Sequence, residues 1–208
     1  MEYMRRALLI IEKYGCGVAL QTKSDRVLRD LEILKRINNK TKAVVQMTLT
    51  TADESLCKIV EPNVCSTKER FEALKILRDN GLPTVVWLCP ILPYINDTRE
   101  NIEVILRMCV EAQVRGVICF GMGLTLRDGS REYFYRQLDR HFPGAKERYI
   151  REFGTRYEVP SPRSDELMRL FHRVCENNGI MHDNDEIFAY LRRFEEKPRF
   201  EQLSLWEL

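Results

Sequence analysis

The 208-residue chain is 44% hydrophobic and 31% charged, with a formal net charge of +2. That composition is a globular one with enough apolar side chains for a proper core, and a charge so near zero creates no long-range field that would draw nucleic acid by itself. No apolar run approaches the roughly 20 residues needed to cross a bilayer, and the run at 7–11 is closed by Glu12 and Lys13 too early for a signal peptide, so the expected compartment is the cytoplasm.

Residues 2–14 predict a helix with Leu8 and Ile11 on one face, and Gly15 and Gly17 punctuate the entry to a short buried strand at 18–21. Ser24 or Asp25 can cap the next helix, whose apolar positions Val27, Leu28, Leu31, Ile33, Leu34 and Ile37 keep helical spacing until Asn38 and Asn39 stop it. A second strand is expected at 43–49, with Thr48, Thr50 and Thr51 clustered at its exit. A short helical turn from Asp53, a loop around 61–63 and a helix over about 67–80 closed by Gly81 lead to a third strand at 84–88. That strand runs into Pro90-Ile91-Leu92-Pro93. Asp97 and Thr98 cap a helix with Ile102, Ile105, Leu106 and Val110 inward, and a fourth strand at 116–120 ends at Gly121-Met122-Gly123. Beyond Thr125 the pattern predicts helices alone, at about 129–140, 144–153, 164–178 and 184–194, broken by Pro143, Pro160 and Pro162. The apolar residues at 203–206 suit an arm that docks on the body.

Strands alternating with helices argue a mainly parallel sheet with right-handed crossovers. The expected fold is α/β, a partial (βα) barrel of parallel strands over residues 1–124, with a C-terminal helical extension over 125–208 packed on it. A four-stranded open sheet leaves an edge that seeks another strand, so a companion chain or self-association is expected there. The seven cysteines are odd in number, widely spaced and without a C-x-x-C pair, which suits reduced thiols and not a disulfide framework.

In such folds chemistry is built at the C-terminal strand ends, where Lys23, Thr48, Thr50, Cys89 and Pro90 all fall. Lys23 places an ammonium at the barrel mouth; on the residues alone it is a ligand-binding cation, a solvent lysine paired with Asp25 or Glu61, or the Schiff-base lysine of an aldolase-like enzyme. Glu61 and Arg70 carry opposite charges and are expected to pair and organise the mouth. His172, Cys175 and His182 lack a fourth ligand at a zinc spacing, so no metal site is expected there. The segment 127–163 interleaves Lys and Arg with Tyr133, Phe134, Tyr135, Tyr149 and Tyr157, a pattern shared by nucleic-acid surfaces and by ordinary solvated helix pairs.

Thr22-Lys23-Ser24 with Arg29-Asp30, the threonine-rich strand exit, Glu61-Pro62, Arg70, and Pro90-Ile91-Leu92-Pro93 with Asn96-Asp97 together resemble the spore photoproduct lyase-like branch of the radical SAM enzymes, often labelled DNA repair photolyases. The resemblance covers about residues 5–122. It implies that Lys23 contacts the carboxylate of S-adenosylmethionine, that Thr48, with Thr50 beside it, holds the methionine moiety, and that Cys89 and Pro90 lie where backbone groups meet the adenine. It implies radical chemistry with a [4Fe-4S] cluster, with damaged DNA as a candidate substrate. Members of that branch hold the cluster on a Cys-x-x-x-Cys-x-x-Cys loop, a spacing not found in this sequence. The resemblance begins before the family's third strand, which implies that the cluster loop lies upstream of Met1 and that this chain alone is inactive. The competing expectation is a non-catalytic remnant, or one subunit of a split enzyme.

Overall fold

The computed structural model describes residues 2–194. Its centre is a parallel sheet of β1 (Val18–Thr22), β2 (Ala43–Thr48), β3 (Thr84–Trp87) and β4 (Gly116–Ile118), in the order β1-β2-β3-β4. Parallel neighbours need crossovers, and the helices supply them: α1 (Tyr3–Lys13) enters the sheet, α2 (Leu31–Lys40) links β1 to β2, α3 (Glu54–Val60) and α4 (Thr67–Asp79) link β2 to β3, and α5 (Arg99–Glu111) links β3 to β4. The chain is therefore α/β, as the alternation of strands and helices predicts.

Side chains alternate across a strand, and the packing shows which face each takes. Val45, Met47, Val86 and Val117 face outward into cores shared with α1, α2, α4, α5 and α8 (Ser164–Asn177). Val44, Val85 and Ile118 face the other way, where α9 (Asn184–Arg192) lays Ile187 and Leu191 against them. The inner face of the sheet is thus partly filled by the last described helix, leaving the C-terminal strand ends open.

Three expectations change. The helix after β1 is divided into a 3-10 segment, Asp25–Asp30, capped by the Ser24 hydroxyl on the Arg26 amide, followed by α2. Asn38 and Asn39 lie within α2 and do not end it; the Asn38 side chain accepts from the Ala43 amide and donates to the Gly81 carbonyl, tying the helix end to the next strand. The extension is not helical throughout: β5 (Gly123–Thr125) pairs antiparallel with β6 (Glu158–Pro160). Gly123 is required there, because a Cβ would stand 2.6 Å from the Val159 carbonyl oxygen. Around this ribbon, α6 (Ser130–His141) and α7 (Ala145–Phe153) build a separate small core from Leu126, Leu138, Tyr149, Phe153 and Val159. Among the described residues no helix is long and apolar enough to cross a membrane. The predicted arm at 203–206 lies outside the described residues.

Candidate functional site

Strand register assembles the inner face in rows. Thr22 pairs with Met47, Thr48 with Trp87, and Trp87 with Ile118, so Lys23, Thr48, Trp87 and Ile118 follow one another across neighbouring strands. The row below holds Gln21, Gln46 and Val85. By the same alternation Thr50, Cys89 and Phe120 stand above, at the rim.

The rim is organised around Arg70, which is fully buried on α4. Its Nη1 donates to the Thr48 carbonyl at 2.8 Å and its Nη2 to Glu61 Oε2 at 2.6 Å, with Cys57 Sγ 3.2 Å from the same nitrogen. Glu61 presents its other oxygen to Lys23 Nζ at 2.5 Å. One carboxylate therefore bridges a buried guanidinium and a half-exposed ammonium. Burial pushes the Glu61 carboxyl upward, but the hydrogen bond from Lys23 and the charge and hydrogen bond of Arg70 outweigh it and hold it below its ordinary value. Local sequence explains the placement: Ser66 and Glu69 form a reciprocal capping box that starts α4 where Arg70 reaches the strand end. Two asparagines hold the threonine exit: Asn96, which enters the sequence reading only as part of the resemblance, and Asn101, which it misses. Asn96 and Asn101 both donate to the Thr50 carbonyl, at 3.0 and 2.8 Å, and Asn101 accepts from the Ala52 amide at 2.7 Å.

A groove of about 620 Å³ opens beside this rim, lined by Cys89, Pro90, Phe120, Gly121, Thr125 and Pro160 among others. The Cys89–Pro90 peptide is cis. Cys89 is half-buried, and burial pushes its thiol up, an effect the charge of Lys23 offsets only in part. Gly121 has φ of 111° with open space where a Cβ would stand, which leaves its backbone approachable. Lys23, Thr48, Thr50, Cys89 and Pro90 thus share one rim, with Glu61 and Arg70 immediately behind.

Elsewhere the chemistry is sparser. Among the described residues no three His, Cys, Asp or Glu side chains come together to hold a metal, and the seven cysteines are free thiols dispersed through the fold. His172 and His182 stack edge to face with ring centroids 5.2 Å apart. In the segment 127–163, Phe134, Tyr135 and Tyr149 pack in the small core, Arg131 donates to the carbonyls of Leu126, Thr155 and Arg156, and Tyr133 and Tyr157 stay exposed.

The family model described as Radical SAM superfamily matches residues 1–109. An uncharacterised protein of Mycobacterium tuberculosis is 28% identical over 155 residues, covering 74% of this chain and 45% of that protein. One from Methanocaldococcus jannaschii is 34% identical over 80 residues, 38% of this chain and 30% of its own. The chain spans less than half the length of these relatives. Among solved structures, spore photoproduct lyase complexed with dinucleoside spore photoproduct superposes with a TM-score of 0.60 at 16% identity, covering 86% of this chain and 54% of that one. A domain of pyruvate-formate lyase-activating enzyme from Bacteroides vulgatus superposes at 0.56 with 11% identity, covering 88% and 89%. These two likenesses are likenesses of fold.

Proposed function

Since the chain belongs to the radical SAM superfamily, we propose that its rim is a seat for S-adenosylmethionine, with the Lys23 ammonium on the cofactor carboxylate, the Thr48 and Thr50 hydroxyls beside the methionine moiety, and the adenosine along the groove at Cys89 and Pro90. The observation that carries this reading is the side-by-side placement of Lys23 and Thr48 next to a groove with an approachable backbone. When bound, the cofactor supplies a sulfonium centre whose carbon–sulfur bond can be broken.

The chain's own residues bind and orient. Glu61, fixed from behind by Arg70, pairs with Lys23 and aims it at the rim, which favours carboxylate recognition over the Schiff-base alternative. The dispersed thiols do not fit a [4Fe-4S] cluster, so we propose that this chain binds the cofactor and that reaction requires a cluster ligated by residues other than these. Free thiols also suit a reducing cytoplasm.

The substrate we propose is a damaged pyrimidine pair in DNA, a reading supported by the likeness to spore photoproduct lyase, itself solved with bound AdoMet and dinucleoside spore photoproduct. We further propose that a second chain, or a second copy, adds a strand at β1, whose outer edge has no strand beside it among the described residues, and covers Tyr3, Ile10 and Tyr14, exposed in one stripe of α1 and its C-terminal end.

Calorimetry of the full chain with S-adenosylmethionine tests the seat. Binding is expected, weakened about tenfold or more in Lys23→Met because a charge-assisted hydrogen bond is lost. Absence of binding by the unaltered chain, or equal affinity in the variant, overturns the assignment.

A further inference from the structure

Trp87, Phe120 and Phe188 form a triangle on the inner face, each pair of ring centroids 6.1 Å apart. The backbone and neighbours of the three rings are tied down: the Trp87 indole N–H donates to Gln46 Oε1 at 2.8 Å, the Cys119 N–H donates to Asn184 Oδ1 while the Cys119 carbonyl accepts from Asn184 Nδ2, and Phe188 rides on α9 between the buried Ile187 and Leu191. Yet Phe120 is 63% exposed, an aromatic face presented to water above two half-buried rings. Exposed aromatic faces are stacking platforms, since every planar base has a π-face to offer.

The polar groups beside the triangle are few: the row below carries the amides of Gln21 and Gln46, the Lys23 ammonium in the neighbouring row is paired with Glu61, and the Arg192 guanidinium stands 6.0 Å from the Phe188 ring. We propose that the triangle seats a planar nucleobase-type ring of the substrate, stacked on Phe120. Trp87 lies two strands from Lys23, about 10 Å at the ordinary strand spacing, so this ring and a cofactor carboxylate on Lys23 fit together on the same face. The seat rests on the proposed function only in making the ring the substrate's and not the cofactor's.

The sequence holds two tryptophans, Trp87 and Trp206, so Trp206→Phe in the full chain makes fluorescence a report on Trp87 alone. Titration with thymidylyl-thymidine is expected to quench it saturably, and equally so with S-adenosylmethionine already present. Phe188→Leu keeps an apolar side chain against Trp87 but removes a ring; it is expected to weaken dinucleotide binding about tenfold while leaving the calorimetric affinity for S-adenosylmethionine unchanged. Quenching by adenosine or S-adenosylmethionine but not by the dinucleotide would make the triangle part of the cofactor seat and overturn the proposal. So would quenching by none of them, or equal dinucleotide affinity in Phe188→Leu. Dinucleotide quenching in a chain that fails to bind S-adenosylmethionine upholds this seat and removes the cofactor assignment instead.

Discussion

At the sheet rim Arg70 is buried and directs its guanidinium at Glu61 and the Thr48 carbonyl, whereas on α7 Lys146 and Arg148 meet Asp139 and Glu152 in water. Both regions are rich in ion pairs at similar distances, and their consequences differ because of where the charges sit. A guanidinium out of water depends on its partners, and those partners depend on it. Exposed pairs are dispensable, since water replaces whatever is removed. The comparison therefore predicts a steep gradient of mutational effect from rim to extension.

The largest effect is expected for Arg70→Met. The thioether side chain fills much of the same volume but leaves the Glu61 carboxylate with Lys23 alone, and the Thr48 carbonyl without its donor. Breaking a buried pair in this way costs about 3–5 kcal/mol, to be read from urea unfolding. A loss below about 1 kcal/mol would mean that the rim behaves like the surface.

Next comes Glu61→Gln, expected to cost about 2 kcal/mol near neutral pH, because an amide still accepts hydrogen bonds but carries no charge. Its pH dependence sharpens the comparison. The Glu61 pKa is held below its ordinary value of 4.5 in the folded protein, so its contribution is complete above that value and is lost as the pH falls through the lowered one. The stability gap between the unaltered chain and Glu61→Gln should therefore be widest near pH 7 and narrow on acidification below about 4.5. A gap that is constant with pH removes the charge from the explanation.

These two variants also mark what the sequence discloses and what it hides. The buried strands β2 and β3 are legible because a parallel strand covered on both faces reads as a compact apolar run, such as Val44-Val45 or Val85-Val86. Lys23, Thr48 and Cys89 are legible as site candidates because strand ends are where such folds place chemistry. The ribbon is not, since Gly123–Thr125 and Glu158–Pro160 are too short to show a period, and the second ends in a residue that cannot donate to a ladder. The Trp87 triangle is hidden for a different reason: its members lie on two strand ends and a late helix, so nothing local links Phe188 to Phe120. Asn96 enters the sequence reading only as part of the resemblance and Asn101 not at all, and only the folded chain shows both holding the Thr50 carbonyl.

Between the extremes lies the seam where the extension meets the sheet. Tyr149 is fully buried and donates to the Pro93 carbonyl at 2.8 Å, joining α7 to the loop that follows Cys89 and Pro90. Tyr149→Phe keeps the ring in its core and removes one donor, so the buried carbonyl is left unsatisfied; about 1–2 kcal/mol should be lost in unfolding. An unchanged stability would show that water replaces the hydroxyl and that the seam is wetter than its burial implies.

The smallest effect is expected for Lys146→Ala. Its ammonium sits 2.6 Å from Asp139 Oδ2, as close as Arg70 sits to Glu61, so a distance criterion alone would rank the two interactions together. Side-chain exposure separates them: 34% and 45% for Lys146 and Asp139, against 0% and 9% for Arg70 and Glu61. In water the lysine loses side-chain freedom to make the pair, salt screens the attraction, and Asp139 is fully hydrated once the lysine is gone. The thermal midpoint should move by about 1 °C or less, and raising the ionic strength should leave even that difference smaller. A shift as large as that of Tyr149→Phe would mean that the extension's charges act as a coupled network and not as separate pairs, and the contrast between rim and extension would then rest on burial of Arg70 alone.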